Sequence, residues 1–309
     1  MTTTLINGVP ANCIDVHDRE LGCIDGQDRG LGFIDVQDRG LGYIDVQDRG
    51  LHYGDGLFET FAVINGEPAM WDGHMQRLQL GCRRLNFPAI DLALLRSEAL
   101  SLSGDVTQGV LKIIITRGSG GRGYRAPSPL SVQVTRILSL YPWPDYPIAF
   151  WSEGVAVRVC ATRLGWNPAL AGIKHLNRLE QVLARSEWDD VNVPEGLMLD
   201  IQGNVIEGTM TNLFVVRNGQ LLTPDVSQGG VAGVMRSWIL AYARTAGIPS
   251  AIAALALEEV ISADEIFLCN SVIGLWPVRE IMGIPGCSFQ VNGPITSDIM
   301  AKLRDSAVS

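Results

Sequence analysis

The 309-residue sequence lacks the features that mark several large classes of protein. It has no CxxC pair, and its cysteines show no metal-ligand spacing with its four histidines, so we expect reduced thiols, several of them in the core, and no metal site. Basic residues are not clustered either, and the net charge of −9 argues against a nucleic-acid or membrane-surface partner. The six cysteines are Cys13, Cys23, Cys82, Cys160, Cys269 and Cys287.

Targeting and membrane signals are also missing. The first residues, MTTTLINGVPA, carry no charged start and no long apolar run, and no later stretch has the length and hydropathy of a membrane span. We therefore expect a cytoplasmic protein. With 47% hydrophobic and 18% charged residues, the chain is long enough to form two domains with real cores.

Four consecutive decapeptides occupy residues 13–52: CIDVHDRELG, CIDGQDRGLG, FIDVQDRGLG and YIDVQDRGLH. A ten-residue unit is too short for a helical solenoid, and it lacks the glycine pattern of calcium-binding β-rolls. Two acids and one arginine in each unit, with a third acid in the first, also make a calcium site a poor fit. The sequence favours a tandem duplication looped out at the surface over residues 13–42. Extra strands that cover another part of the protein are the alternative.

Periodicity and turn residues predict the elements of the first half. A short strand and turn are expected at 5–9, and a strand at 57–63 is joined through Asn65-Gly66 to a second strand at 67–70. A helix from 72 to about 85, with Asp72 as N-cap, and a helix at 91–102 follow. Two more strands are expected, one at 110–116 that is buried on both faces and one at 130–140. Met75, Leu78 and Cys82 should face inward. Three prolines within 141–147, YPWPDYP, predict a stiff linker.

The second half should contain a strand at 155–161, a helix from Gly233 to about 246, and a strand at 265–269. Between them lies Lys174, which follows the apolar sequence Ala-Gly-Ile and precedes Leu176, Leu179, Val182 and Leu183 at helical spacing. A lysine held against apolar surface is disfavoured as the ammonium ion and favoured as the nucleophilic amine, which a Schiff-base lysine needs. The alternative is a solvated lysine at a helix start.

Glu207 adds a second candidate group, in the sequence VIEGTMTNLF. A carboxylate buried beside this Thr- and Asn-rich turn can pair with a protonated ring nitrogen. A lysine that forms an imine and a glutamate that keeps a pyridine protonated are the two protein groups that pyridoxal phosphate needs to act as an electron sink.

Five motifs, in order, carry a resemblance to a known family: YGDGLFET, RGSGGRGY, GIKHLNRLEQVLARSE, EGTMTNLF and GVAGVMR. Together they resemble the fold-type IV pyridoxal-phosphate enzymes, and within that family its aminodeoxychorismate lyases. The resemblance covers the whole chain except the repeat insertion, and it makes residues 43–52 the native decapeptide.

The resemblance implies an α+β, two-domain, homodimeric enzyme with a small-molecule substrate and pyridoxal phosphate as cofactor. The smaller domain would be 1–140, the linker 141–148 and the larger, cofactor-binding domain 149–309. Lys174 would be the catalytic and cofactor-bearing lysine. The implied cofactor-binding residues are Lys174, Glu207, Arg77, Val234, Met235, Asn270 and Ser271, and Arg122 and Tyr124 are candidates for the substrate carboxylate.

Some alternatives stay open at this point. Residues 117–124 form a glycine-rich loop that is neither a P-loop nor a dinucleotide fingerprint, and its arginines could simply be solvated. His74 could support Arg77, but we favour an ordinary, satisfied histidine. A class IV aminotransferase for branched-chain or D-amino acids would share Lys174, Glu207 and Arg77, because the fold fixes the cofactor and not the reaction. A cofactor-free scaffold protein that uses the repeats is the alternative of another class.

Overall fold

The computed structural model describes residues 3–11 and 42–306. The strands of these residues form two sheets, one from each half of the chain. The predicted repeat insertion, 13–42, lies outside the described residues except for Gly42.

The first sheet has six strands: β1 (Thr3–Ile6), β2 (Val9–Pro10), β3 (Gly56–Ile64), β4 (Glu67–Pro68), β5 (Gln108–Thr116) and β6 (Thr135–Pro142). Their order is β2-β1-β6-β5-β3-β4, and all neighbours are antiparallel. Two hairpins turn at Asn7-Gly8 and Asn65-Gly66, where all four residues have positive φ, as a type I′ turn requires. The predicted turns are confirmed.

Helices α2 (Trp71–Arg84) and α3 (Leu92–Ser103) cover one face of this sheet. Met75, Leu78 and Cys82 of α2 are buried there, as predicted. On β3 the side chains alternate: Leu57, Glu59, Phe61 and Val63 are buried, and the residues between them face the other way. One strand therefore serves both the core beneath α2 and the space on the opposite side of the sheet.

Several boundaries in this half differ from the prediction. Helix α2 has Met70, in the left-handed conformation, as its N-cap, so Asp72 lies in the first turn, where a carboxylate still favours the positive end of the helix dipole. Strand β6 begins at Thr135, and Leu130 is 98% exposed. Strand β4 ends at Pro68, and β5 is buried on one face and only half-buried on the other.

The second sheet has eight strands: β7 (Val155–Leu164), β8 (Glu195–Asp200), β9 (Val205–Gly208), β10 (Asn212–Arg217), β11 (Gln220–Pro224), β12 (Ser250–Ala253), β13 (Glu265–Asn270) and β14 (Gly274–Ile281). Their order is β12-β11-β10-β13-β14-β7-β8-β9. Strand β7 is parallel to both neighbours, and β11 is parallel to β12. The strands predicted at 155–161 and 265–269 are β7 and β13.

Side chains on both faces of the central strands are buried. On β10, Leu213 and Val215 pack on one face, whereas Phe214 and Val216 pack on the other. The second face is covered by α6 (Val234–Thr245) and α8 (Pro294–Asp305). The remaining helices are short: α1 (Arg49–Tyr53), α4 (Ala149–Ser152), α5 (Leu179–Arg185) and α7 (Leu257–Ile261). Burial on both faces explains why these strands are near-continuous apolar runs.

The connection between the sheets differs slightly from the predicted linker. Tyr141 and Pro142 still pair with β5, so the first sheet ends two residues into the proline-rich stretch. The second sheet begins at Val155, after α4. The division into domains 1–140 and 149–309 stays a prediction.

The last decapeptide, 43–52, is bound to the first sheet. Asp48 is fully buried and accepts hydrogen bonds from the hydroxyl groups of Thr116 and Thr135, both at 2.7 Å. Where the described chain resumes, the Gly42 amide donates to the Pro10 carbonyl at 3.0 Å. The chain therefore leaves and re-enters the described structure at neighbouring points.

The apolar residues near Lys174 do not form the buried face that their spacing predicts. Helix α5 begins only at Leu179, and Leu179, Val182 and Leu183 are 76%, 55% and 61% exposed in the single chain. The described segments contain no helix of the length and hydropathy that crossing a bilayer requires. Cys82, Cys160, Cys269 and Cys287 are buried free thiols, whereas Cys13 and Cys23 lie outside the described residues.

Candidate active site

A cavity of ≈1220 Å³ opens between the two sheets. Phe58 and Thr60, on the outward face of β3, form part of its wall, and residues from α2, α5, α6, β9 and β13 are also among those that line it. Of the residues predicted for the site, the cavity is lined by Lys174, Glu207, Arg77, Val234, Met235, Asn270 and Ser271. The fold thus brings together seven positions that span residues 77 to 271.

Lys174 lies in an extended segment and not at a helix start. Its carbonyl accepts the Phe58 amide at 2.9 Å, and Leu176 donates to Gly56 at 3.0 Å, so the segment is held against β3. The amine lies 4.5 Å from the centre of the Phe58 ring. Burial, helped by the charge of Arg77, lowers the pKa of Lys174 from 10.5 to about 8. A substantial fraction of the amine is therefore neutral near physiological pH.

Arg77 is held by a buried carboxylate. Its Nε donates to Glu59 Oε1 at 2.9 Å, and its Nη2 donates to Glu59 Oε2. His74 Nδ1 lies 2.6 Å from the same Oε2. Burial opposes ionisation of Glu59, but the charge of Arg77 and the hydrogen bonds from His74 and Arg77 lower its pKa to about 2. His74 therefore supports Arg77 through Glu59, and our preferred interpretation of it was wrong.

The N-terminus of α6 lies beside Arg77 at the cavity. Gly73 of α2 lies against Val234, because a Cβ at Gly73 would lie 2.8 Å from Val234 Cγ1, and Arg77 Nη1 donates to the Ala232 carbonyl at 3.1 Å. The N-cap is Gly233, and no side chain among the described residues caps this helix. Backbone amides of the first turn and the positive end of the helix dipole therefore face the cavity beside Arg77, an arrangement that suits a phosphate group.

Glu207 lies on β9 and is buried. Its Oε2 accepts the Val231 amide at 2.8 Å, and Gln181 donates to Oε1 at 3.4 Å. Burial raises the pKa of Glu207, although the Val231 amide and the charge of Arg178 oppose the shift. Such a carboxylate can keep a proton on a basic ring nitrogen that enters the cavity.

Hydrogen bonds to a buried carboxylate, Glu195, fix the turn after Glu207. Glu195 is fully buried and accepts backbone amides of Thr209 and Met210 at 2.8 and 3.0 Å, and the Thr211 hydroxyl at 2.9 Å. Asn270 fixes the neighbouring part of the cavity wall by three hydrogen bonds. Its Oδ1 accepts from the Val272 and Ile273 amides, and its Nδ2 donates to the Met210 carbonyl. Sequence reasoning missed Glu195. An acid in the first position of a fully buried strand was the available signal.

The substrate candidates Arg122 and Tyr124 do not line the cavity of this chain. Both are exposed, and Tyr124 has 88% of its surface free. Their loop is tied to the last decapeptide, since Arg49 donates to the carbonyls of Gly123 and Tyr124 at 2.9 and 3.2 Å.

Arg178, which sequence reasoning did not single out, does line the cavity. Its Nε donates to the His175 carbonyl at 3.0 Å, and its Nη2 lies 2.5 Å from His175 Nε2. Arg178 is the fourth residue after Lys174, and this nearness was the only signal in the sequence.

The fold and this set of residues define a class of protein. The chain belongs to the class IV aminotransferase family, whose model matches residues 56–281. The family and the α+β fold expected from the motifs are therefore confirmed.

Three known proteins show how the chain relates to that family. The crystal structure of 4-amino-4-deoxychorismate lyase from Pseudomonas aeruginosa has 47% identity and a TM-score of 0.82, over 87% of this chain and 97% of that one. The aminodeoxychorismate lyase of Vibrio harveyi is 39% identical over 228 residues, 74% of this chain and 83% of that protein. A putative branched-chain-amino-acid aminotransferase of Methanocaldococcus jannaschii is 31% identical over 260 residues, 82% of this chain and 87% of that protein.

The cavity fits the cofactor that the family implies. Lys174 offers an amine of lowered pKa, and the amides at the start of α6 with Arg77 offer a phosphate site. Glu207 offers a buried carboxylate. Gly233 allows close approach of the chain to Asn212, because a Cβ there would lie 1.9 Å from Asn212 Oδ1. An amine, a phosphate cradle and a carboxylate around one cavity match the three functional groups of pyridoxal phosphate.

Proposed function

We propose that this protein is a pyridoxal-phosphate-dependent lyase that converts 4-amino-4-deoxychorismate into 4-aminobenzoate and pyruvate. One observation carries the proposal: Lys174, with a lowered pKa, lines the same cavity as Glu207 and the Arg77 phosphate site. Support for the lyase reaction comes from the proteins of that name with 39% and 47% identity.

Each residue has a defined task in this reaction. The start of α6 and Arg77 would bind the cofactor phosphate, and Glu207 would keep the ring nitrogen protonated. Bound pyridoxal phosphate supplies an electron sink. The Lys174 amine would hold the cofactor and then accept the proton from the substrate carbon that bears nitrogen. Loss of the neighbouring enolpyruvyl oxygen releases pyruvate and leaves an aromatic ring, so no second substrate is needed.

We also propose that the protein acts as a homodimer. Leu179, Val182 and Leu183 expose a contiguous apolar surface on α5, beside the cavity, which a second copy would bury. Sedimentation of the holoenzyme should give twice the chain mass of 33.5 kDa. A monomer at micromolar concentration would contradict the proposal, and Leu183→Glu should weaken the dimer more than a change at exposed Leu80 on α2.

The decisive experiment is incubation of the holoenzyme with aminodeoxychorismate while pyruvate and 4-aminobenzoate are followed. Both products should form in equal amounts without an added oxo acid. Lys174→Ala should abolish turnover while the circular dichroism spectrum stays that of the wild type. Turnover that persists in this variant would remove Lys174 from its role.

An aminotransferase reaction is the second candidate, and the 31% identity to a putative branched-chain-amino-acid aminotransferase favours it. It predicts amino-group transfer from an amino acid to an added oxo acid. If the wild type performs only this reaction and releases no pyruvate from aminodeoxychorismate, the lyase proposal is wrong.

A further inference from the structure

Arg178 is an arginine in an unusual electrostatic position. It is the N-cap residue of α5, where its side chain makes no capping hydrogen bond and its charge faces the positive end of the helix dipole. It is also partly buried, and burial lowers its pKa. Helix stability therefore gives no reason for a cation at this position.

Nor is the charge of Arg178 neutralised by an ion pair. Within the described residues, the Arg178 guanidinium makes two hydrogen bonds, and both go to His175. Arg178 takes part in none of the ion pairs found among these residues. The other cavity arginines are already engaged: Arg77 binds Glu59, and Arg185 donates to the Trp188 carbonyl at 2.9 Å. The charges of Glu207 and Glu180 oppose the lowering of the Arg178 pKa, but neither carboxylate forms an ion pair with it among the described residues, so its remaining N–H groups can bind a further anion.

His175 fixes the direction of the guanidinium. Arginine can only donate, so His175 Nε2 must be the acceptor and the imidazole must be neutral, with its proton on Nδ1. Burial and the charges of Arg178 and Lys174 lower the pKa of His175 to about 4, in agreement with that form. His175 thus accepts two hydrogen bonds from the Arg178 fork, one from Nε at its carbonyl and one from Nη2 at its ring, while Arg178 lines the cavity.

We infer that Arg178, oriented by His175, binds a carboxylate of the substrate. A guanidinium fork matches a carboxylate in shape and charge. The proposed site for the cofactor phosphate is formed by Arg77 and the start of α6, on elements other than the one that carries Arg178. The inference rests on the proposed function, and it adds Arg178, which lines the cavity, to the carboxylate candidates Arg122 and Tyr124, which stay predictions.

The test compares the holoenzyme of Arg178→Gln with that of Arg178→Lys in the pyruvate assay. Arg178→Gln should raise KM by about 10- to 100-fold, because charge-assisted hydrogen bonds are lost, with a smaller change in kcat. Arg178→Lys should give an intermediate KM. The matched control is Arg158→Gln, since Arg158 is partly buried, stacks on Trp188 and lies outside the cavity; its KM should stay within about twofold of the wild type.

His175 is a positioning residue and has its own pair of variants. His175→Leu should raise KM without loss of bound cofactor, and His175→Gln, which keeps an acceptor, should restore it in part. A merely structural role would lower thermal stability in both and leave KM unchanged.

Two results would overturn the inference. An unchanged KM in Arg178→Gln removes the carboxylate from this residue, and loss of cofactor or an altered cofactor absorbance in that variant assigns Arg178 to the cofactor instead. Failure of the proposed function is separate, since it shows in the wild type. If the wild type acts only on amino acids, the same variants are compared by the KM of the amino acid, which also carries a carboxylate.

Discussion

The lowered pKa of Lys174 predicts that this amine reacts selectively at neutral pH. The chain has three lysines: Lys112, Lys174 and Lys302. With a pKa of about 8, about 9% of the Lys174 amine is neutral at pH 7, against about 0.03% for a lysine of pKa 10.5, a difference of about 300-fold. Acylation of the protein without cofactor should therefore modify Lys174 first, because only the neutral amine is a nucleophile.

The assay is competitive acetylation with a trace amount of acetic anhydride at a series of pH values, read by mass spectrometry of the three lysine peptides. Labelling of Lys174 should rise with pH to a half-maximum near 8, because its ammonium form is disfavoured in the folded chain. Lys302, exposed on α8, is the internal comparison. In denaturant the selectivity should vanish. A half-maximum for Lys174 above 10, or equal labelling of all three lysines in the folded protein, would refute the reasoning.

Three further predictions concern other parts of the chain. Glu207→Gln should retain bound cofactor but slow proton abstraction on the order of 100-fold or more, since an amide cannot hold the ring nitrogen protonated; single-turnover absorbance measures this, and a wild-type rate would contradict it. Glu59→Gln should weaken cofactor binding and lower the thermal midpoint, because loss of one partner of a buried ion pair costs about 3–5 kcal/mol. Equilibrium dialysis and calorimetry report both effects. Deletion of residues 13–42, which joins Asn12 to Tyr43, should leave activity and cofactor content unchanged and the thermal midpoint within about 4 °C, because shortening a connection from ~40 to ~10 residues changes closure entropy by only about 1.2 kcal/mol. A large drop in activity, cofactor content or thermal midpoint in this deletion variant would mean that the repeats are a structural part of the enzyme.

Local signals predicted much of the fold. The hairpins at Asn7-Gly8 and Asn65-Gly66 follow from two residues each, because few pairs adopt positive φ at low cost. Helix α6 was predicted with its start at Gly233, since the glycine and the apolar spacing after it lie within one short stretch. Where neighbouring residues decide the conformation, the sequence is sufficient.

Long-range contacts account for most of what the sequence did not reveal. Lys174 looked like a helix-start residue, but its backbone pairs with Phe58, more than a hundred residues earlier, and periodicity carries no information about such a partner. The spacing of Leu179, Val182 and Leu183 predicted a helix correctly, but not that these side chains would be exposed in the single chain. Glu59 could have been found, because an acid at a core-facing position of a strand requires a partner.

The hydrogen bond between Gly42 and Pro10 has a consequence for the gene that encodes this chain. Ten residues correspond to thirty bases, so slippage during replication adds or removes whole units and preserves the reading frame. Each such change in length would fall between Pro10 and Gly42, which a hydrogen bond already holds together. The copy at 43–52 would stay in place, because Asp48 is bound to Thr116 and Thr135. We therefore expect alleles with different numbers of decapeptides to encode equally active enzymes, so that repeat number can drift without selection on catalysis.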